Sequence, residues 1–183
     1  MKSVKFTLML AAVFLAAGCV SEQTYKTEVT KADNLSALNQ KLSSELGADQ
    51  AQITQLQNQL KVTMVNEVLF SEGGWTLSTK GEAALAKIAP TLAGLKGQQI
   101  VVEGFTDNEP IGPALKARFP SNLELSSARA DNVVRYLVSK GVSSNNISAQ
   151  GFGDSKPVAN NSTVDGRAKN RRVDIVIAAA SRQ

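Results

Sequence analysis

Short apolar runs alternate with helix-start signals along the C-terminal two thirds of the chain. Two capping-box pairs, in which glutamate follows serine or threonine by three positions, are Thr79 with Glu82 and Ser121 with Glu124. Because strand and helix signals alternate, the pattern predicts a small α+β fold in which helices pack on a mixed four-stranded sheet. The runs expected to form strands are residues 65–70, 100–105, 147–152 and 173–178.

Proline and glycine refine the bounds of the predicted helices. Pro90 lies inside the first helical pattern and predicts a kink, or an end at the preceding turn. The second helix is expected to run to about Lys140, where Gly141 would cap its C-terminus. A short helical turn is expected at residues 166–170, ahead of the last strand.

A polar segment, residues 19–62, precedes these elements and carries a helical stripe of leucine and isoleucine. The regular spacing of the stripe is interrupted near Gly47. Residues 63–183, after this segment, are expected to form the globular domain. If helical throughout, the segment would be a stalk reaching roughly 65 Å at about 1.5 Å per residue. A self-associating coiled coil, a single helix lying on its own domain and a partly disordered tether all fit, so homo-oligomerisation through the stalk stays open. The stripe occupies positions 35, 38, 42, 46, 53, 56 and 60.

The N-terminus predicts export followed by lipidation. A cationic start and the apolar run 6–17 have the layout of a signal peptide, and this run is shorter than the roughly 20 residues that span a bilayer. Residues 15–19, Leu-Ala-Ala-Gly-Cys, resemble a bacterial lipobox, although the leucine stands one position earlier than usual. The resemblance implies removal of residues 1–18 and acylation of Cys19, for example with palmitate. Val20, where aspartate would signal retention in the inner membrane, implies sorting to the outer membrane.

Composition excludes several functional classes. The chain has no histidine and one cysteine, which rules out Ser-His-Asp and Cys-His catalysis, the usual zinc sites and an internal disulfide. Without Lys2 and Lys5 of the export segment, the net charge falls from +4 to +2. A charge this small does not indicate nucleic-acid binding. We therefore expect a protein that uses no metal or cofactor and acts through carboxylates, amides, hydroxyls and guanidiniums.

Four ordered motifs carry the charged residues of the domain. They are Gly-x-Thr-Asp at 104–107, Asn-x-x-Leu-Ser-x-x-Arg-Ala at 122–130, Gly-x-Gly-x-x-x-Pro-x-x-x-Asn at 151–161, and Gly-Arg-x-x-Asn-Arg-Arg-Val at 166–173. In this order and spacing they resemble the OmpA-like peptidoglycan-binding domain over about residues 63–180. The proline-containing loop between Asp107 and Asn122 is most similar to the MotB branch of that family. The resemblance implies the mixed sheet with packed helices that is typical of the OmpA C-terminal domain.

The resemblance also implies a clamp for meso-diaminopimelate, the zwitterionic residue of the peptidoglycan stem peptide. Asp107 would accept hydrogen bonds from the ligand ammonium, and Arg129 would hold its carboxylate through two parallel hydrogen bonds. The N-terminus of the helix that starts near Asn122 would add backbone donors for the same carboxylate. A plain surface ion pair between Asp107 and Arg129 is the alternative. Further expected contacts are Thr106, Asn122, Leu125 and Ser126, the last two mainly through backbone groups.

Three other positions carry weaker expectations. Arg171 and Arg172 point in opposite directions at a strand start, so one of them would face the ligand and the other the solvent. Glu103 could share a strand face with Asp107, but a solvated strand residue is commoner than a glycosidase acid pair. The family commonly has histidine where this chain has Phe105, and we assign that position to packing.

The expected function is that of a non-catalytic lipoprotein of the outer membrane that faces the periplasm and tethers the membrane to the cell wall. The expected partners are peptidoglycan and the lipid bilayer. The alternative is a stator-like or secretion-machine component related to MotB, which would require a membrane-spanning helix with an acid inside it. A wall hydrolase is disfavoured, because histidine is absent and no convincing acid pair stands out.

Overall fold

The computed structural model describes residues 22–56, 58–71 and 73–178. The expected signal peptide, residues 1–18, and the expected lipidation site, Cys19, lie outside the described residues. Within the described ranges, none of the helices combines the length and the apolarity needed to span a membrane. The elements in chain order are α1 (Glu22–Glu45), β1 (Gln52–Leu56), β2 (Gln59–Val65), α2 (Asn66–Leu69), α3 (Thr79–Ala93), β3 (Ile100–Gly104), α4 (Pro113–Lys116), α5 (Asn122–Ser139), β4 (Ile147–Gly151), α6 (Val164–Asn170) and β5 (Arg172–Ala178).

The strands form a five-stranded mixed sheet in the order β1-β2-β5-β3-β4. β3 and β4 pair in parallel, and the other neighbours pair antiparallel. One face of the sheet contributes alternate apolar residues to a core that it shares with α1, α3 and α5. The predicted α+β class with helices packed on a mixed sheet is confirmed, with five strands instead of the expected four.

The prediction of a helical stalk over residues 19–62 was wrong beyond Glu45, where α1 ends. The following segment forms a hairpin of β1 and β2, and β2 pairs with β5 along its whole length. Buried residues alternate along β2, so that Leu60, Val62 and Met64 all reach the core. Leu60 fits both the helical stripe and this two-residue alternation. Pairing with the distant β5 therefore decided the structure of this segment.

The second half of α1 lies on its own domain. Leu35, Leu38 and Leu42 are buried along one side of α1, and Leu46 is buried just after its end. The turns before Leu35 are largely exposed. From Leu35 onward, the structure therefore matches a helix packed on its own domain. Self-association through the exposed turns stays a prediction.

The expected strand at residues 65–70 was also wrong. β2 ends at Val65, which is its last residue paired with β5, and a single helical turn, α2, follows. The amide of Phe70 donates to the carbonyl of Asn66 at 2.8 Å and closes this turn. An apolar run of this length does not distinguish a buried helical turn from a strand.

The N-cap of α3 lies one position before the predicted cap residue, Thr79. Ser78 is the N-cap, and its hydroxyl accepts from the amide of Gly81 at 3.0 Å, so Thr79 is the first helical residue. Pro90 lies inside α3, which continues to Ala93. An end at the turn before Pro90 is therefore excluded.

α5 starts at its predicted cap and ends close to the predicted position. Ser121 accepts from the amide of Leu123 at 3.1 Å and hydrogen-bonds to the carboxylate of Glu124. Gly141 follows the helix with φ of 99°, a conformation that favours glycine. Local side-chain chemistry therefore determines both ends of this helix.

Replacing Ser121 by alanine is expected to lower the free energy of unfolding by about 1 kcal/mol, because an amide of the first turn loses its acceptor. Urea denaturation followed by circular dichroism measures this change. Ser121→Thr keeps the hydroxyl and is expected to retain most of the stability. Equal stability of Ser121→Ala and the unmodified chain would show that this cap contributes nothing.

Candidate functional site

Several segments meet at one end of the sheet. β5 runs antiparallel to β2 and β3, so its first residues lie beside the last residues of both strands. Asp107 follows β3, and Arg171 directly precedes β5. The N-terminus of α5 is held here because the side-chain Nδ2 of Asn122 donates to the carbonyls of Asp107 at 3.4 Å and Glu109 at 3.0 Å. The topology thus collects the charged motifs at one place.

Two glycines let α5 approach the sheet closely. A Cβ at Gly104 would lie 2.2 Å from the carbonyl oxygen of Ser126, and one at Gly151 would lie 2.6 Å from the amide nitrogen of Ser127. Any larger residue at either position would push α5 away from β3 and β4. This close packing sets the depth at which α5 presents Arg129.

The charged residues line a cleft of about 370 Å³, which we call the ligand cleft. Six of the seven ligand contacts predicted from the sequence line it, and Ser126 is the exception. The lining residues are Gly73, Thr106, Asp107, Glu109, Pro110, Ile111, Gly112, Pro113, Ala114, Leu115, Asn122, Leu125, Arg129 and Arg171.

The carboxylate of Asp107 is almost buried, with 7% of the residue exposed. One oxygen accepts from the amide of Glu109 at 3.1 Å, and the other accepts from Nη1 of Arg171 at 2.7 Å. The alternative of a surface ion pair between Asp107 and Arg129 was wrong, since the ion pairs of the described residues join Asp107 to Arg171. Each carboxylate oxygen has a second lone pair available to a ligand.

Arg171 joins two acids at the edge of the cleft. Its Nε and Nη2 donate to Oε1 of Glu67 at 2.9 and 2.6 Å, while Nη1 reaches Asp107. Burial opposes the charge of Arg171, but the hydrogen bonds to Asp107 and Glu67 outweigh it and raise the pKa of its guanidinium. Sequence reasoning missed Glu67, since nothing local distinguishes it from a solvated acid.

Arg129 projects from α5 into the ligand cleft, with 7% of the residue exposed. Its Nε and Nη2 both donate to the carbonyl of Gly74, at 3.0 and 2.8 Å, and its guanidinium carbon lies 5.5 Å from the centre of the Phe70 ring. Burial lowers the pKa of Arg129 to about 10, although Glu67 and Asp107 act to raise it. The guanidinium therefore stays charged at neutral pH, in a fixed orientation.

The other predicted contacts have distinct roles. Thr106 is 4% exposed, and among the described residues its hydroxyl has no hydrogen-bond partner. Leu125 is buried and forms an apolar part of the cleft wall. Ser126 is fully buried and accepts from the amide of Gly153 at 2.9 Å, so its side chain holds the loop after β4 instead of lining the cleft.

The expectation that one of the paired arginines faces the solvent was wrong. Arg171 lines the ligand cleft, but Arg172 is 4% exposed and its guanidinium carbon lies 3.7 Å from the centre of the Phe105 ring. On the other side, Phe105 stacks on Phe152 at 5.2 Å, and Lys156 lies 3.5 Å from the centre of that second ring. Phe105 is thus a packing residue in a column of two rings between two cations.

Glu103 belongs to the other face of the sheet. It is paired in register with Asp174 of β5 and does not line the ligand cleft. Burial, and then the charge of Asp174, raise the pKa of Glu103. The raised pKa of Glu103 therefore arises from burial and from a neighbour on the sheet, and not from an acid pair in the cleft.

Comparison with known proteins decides the family, because residues 69–171, more than half of the chain, match the OmpA family. The chain belongs to the OmpA family. Among curated OmpA-related proteins, the probable lipoprotein YiaD of Escherichia coli is 31% identical over 75% of this chain and 59% of its own length. The peptidoglycan-binding protein ArfA of Mycobacterium tuberculosis is 33% identical over 67% of this chain and 35% of its own length. The chain thus spans between about a third and three fifths of these relatives.

Solved structures share the fold of this chain. The cell wall anchor of the type VI secretion system (T6SS) from Pseudomonas aeruginosa is 33% identical, with a TM-score of 0.70 over 78% of this chain and 96% of that chain. A MotB-like protein from Desulfovibrio vulgaris has a TM-score of 0.77 over 87% of this chain and 97% of that chain. At 24% identity, this second likeness establishes the fold alone.

Proposed function

We propose that this OmpA-family chain is a non-catalytic lipoprotein of the outer membrane, facing the periplasm, that binds the diaminopimelate of peptidoglycan and tethers the membrane to the wall. The observation that carries the proposal is the pair of almost buried opposite charges, Asp107 and Arg129, that line one cleft. The name of the relative ArfA, a peptidoglycan-binding protein, supports the same ligand class.

The balance of charges in the ligand cleft suits a zwitterion. Its lining carries two acids, Asp107 and Glu109, and two arginines, Arg129 and Arg171. An ammonium would bind the open lone pairs of Asp107, and a carboxylate would bind Arg129 and the first amides of α5. A ligand with a single charge would pair with only one of the two almost buried charges, Asp107 or Arg129.

One small zwitterion offers few contacts, so the affinity of a single site is expected to be modest. Attachment at two points, through a lipid in the membrane and through the wall, would raise the effective concentration of the second interaction. The domain therefore would not need tight binding to hold the two layers together.

Co-sedimentation with purified sacculi tests this function. The full chain is expected to pellet with diaminopimelate-containing sacculi and to stay in solution with sacculi whose stem peptides carry lysine at that position. Lysine lacks the second carboxylate, so Arg129 would lose its partner. Equal pelleting with both wall types would contradict the proposed ligand.

Cys19→Ser is expected to release the protein from membranes, because the anchoring acyl chains, each contributing about 0.8 kcal/mol per buried methylene, would be missing. Membrane fractionation together with metabolic labelling by a palmitate analogue measures this change. Continued membrane pelleting of the variant, with no label on the unmodified chain, would refute lipidation at Cys19.

The likeness to the T6SS cell wall anchor favours a second candidate, in which the same domain anchors a secretion or motor assembly to the wall. Both candidates require the same ligand cleft and differ in the protein partners. Cross-linking in cells followed by mass spectrometry separates them, since only the second predicts stoichiometric capture of assembly subunits.

A further inference from the structure

A second cleft of about 520 Å³ adjoins the ligand cleft. We call it the Asn66 cleft, and its lining includes Asn66, Glu67, Phe70 and Ser71. Gly73, Arg129 and Arg171 line both clefts, so the two share a common wall. A ligand whose zwitterionic end lies in the ligand cleft can therefore extend its next group into the Asn66 cleft.

Asn66 has an unsatisfied side chain in this second cleft. The residue is 4% exposed, and among the described residues neither its Oδ1 nor its Nδ2 has a hydrogen-bond partner. Burying a donor and an acceptor without partners is costly, and native proteins rarely do so. A ligand that satisfies either atom would recover part of this cost on binding.

The local fold does not need the side chain of Asn66. Its backbone amide donates to the carbonyl of Arg171 at 3.0 Å, and its carbonyl accepts from the amide of Phe70. Asparagine is common as a helix cap, but the N-cap of α2 is Val65, and no side chain caps this turn. The backbone contacts explain the position of the residue and leave its amide group unexplained.

The surrounding groups favour an uncharged amide as the ligand. Glu67 and Arg171 already pair with each other. Arg129 also lines this cleft, but the proposed function pairs its charge with the ligand carboxylate in the adjoining ligand cleft. Phe70 is almost buried and supplies a flat apolar surface. A secondary amide carries one N–H donor and one C=O acceptor, which point to opposite sides of the trans unit, so one such amide can pair with either the Oδ1 or the Nδ2 of Asn66.

We propose that the Asn66 cleft is a second subsite, in which the side-chain amide of Asn66 rotates to hydrogen-bond a secondary amide of the wall polymer next to the bound diaminopimelate. This inference rests on the proposed function. Two sources supply such an amide, namely a peptide bond of the stem peptide and the acetamido group of an N-acetylated sugar. In either case the second subsite recognises diaminopimelate as part of the polymer and not as a free amino acid.

Calorimetric titration of the full chain with three ligands tests the inference. The ligands are free meso-diaminopimelate, the stem tetrapeptide without sugar, and the N-acetylglucosamine–N-acetylmuramic acid disaccharide added after saturation with free diaminopimelate. If the stem supplies the amide, the tetrapeptide binds about fivefold tighter than free diaminopimelate, as expected for one net hydrogen bond of about 1 kcal/mol. Asn66→Leu then removes this advantage. If the sugar supplies it, the disaccharide binds and Asn66→Leu abolishes that binding.

Matched variants make the result decisive. Asn145→Leu, on an exposed loop that belongs to neither lining, is expected to bind all three ligands like the unmodified chain. If Asn66→Leu does not fold, Asn66→Asp serves in its place, because it removes the Nδ2 donor at almost constant volume. Undiminished tetrapeptide and disaccharide binding by the Asn66 variant would overturn the second subsite while leaving the proposed function intact. Failure of the unmodified chain to bind free diaminopimelate would overturn both.

Discussion

Asp107→Asn is expected to abolish co-sedimentation with diaminopimelate-containing sacculi while the domain stays folded. Asparagine keeps an oxygen that can accept from the amide of Glu109, but it removes the negative charge that the ligand ammonium requires. Loss of a charge-assisted hydrogen bond of about 3 kcal/mol corresponds to a roughly hundredfold weaker site. Arg171 keeps its pair with Glu67, so the edge of the cleft retains one ion pair.

The matched control for this change is Asp131→Asn. Asp131 lies on α5 with its side chain 48% exposed and pairs with Arg135, so the same loss of charge occurs away from the ligand cleft. This variant is expected to sediment with sacculi like the unmodified chain. Thermal unfolding of both variants verifies that the domain is intact. Wild-type sedimentation of Asp107→Asn would remove Asp107 from the site.

Arg129→Ala is expected to abolish wall binding as well and also to destabilise the domain. The substitution removes the ligand carboxylate's partner and leaves the half-buried carbonyl of Gly74 without its two donated hydrogen bonds. We expect a loss of about 1–3 kcal/mol of stability from the unsatisfied carbonyl. The fractional loss of sacculus binding is expected to exceed the fraction of unfolded protein, because the molecules that remain folded still lack the guanidinium.

Arg129→Lys separates charge from geometry. Lysine keeps the positive charge but cannot make two parallel hydrogen bonds, so binding is expected to drop about tenfold or more. Arg135→Ala, with a side chain that is 76% exposed on the same helix, is the matched control and should leave binding and stability unchanged. If Arg129→Lys bound sacculi as well as the unmodified chain, a positive charge would be sufficient at this position and the paired hydrogen bonds of a guanidinium would not be required.

Local signals made the centre of the domain predictable. The cap at Ser121 and the glycine at Gly141 act within a few residues of themselves, so the extent of α5 followed from the sequence. The strand at residues 100–104 also lies inside its predicted run. β1 and β2 were missed because the helical stripe and the strand alternation overlap at Leu60, and only pairing with β5 distinguishes them.

The residues of the candidate site could be predicted from the sequence, but the contacts between them could not. Ordered motifs pointed to Asp107 and Arg129, and both line the ligand cleft. The contacts of Arg171 with Asp107 and with Glu67 join residues 64 and 104 positions apart, and no local pattern encodes such separations. The unsatisfied amide of Asn66 is likewise visible only after β2 and β5 have been paired.

Arg129 and Asp107 are proposed to recognise together the zwitterion at the end of the diaminopimelate side chain. The most direct test is calorimetric titration of the full chain with two stem tetrapeptides that are identical except that one carries meso-diaminopimelate and the other lysine. They differ at this position by a single carboxylate. We predict measurable binding of the diaminopimelate peptide and at least about tenfold weaker binding of the lysine peptide, as expected for the loss of one charge-assisted contact. Equal affinity for the two peptides would contradict recognition of the diaminopimelate carboxylate by Arg129.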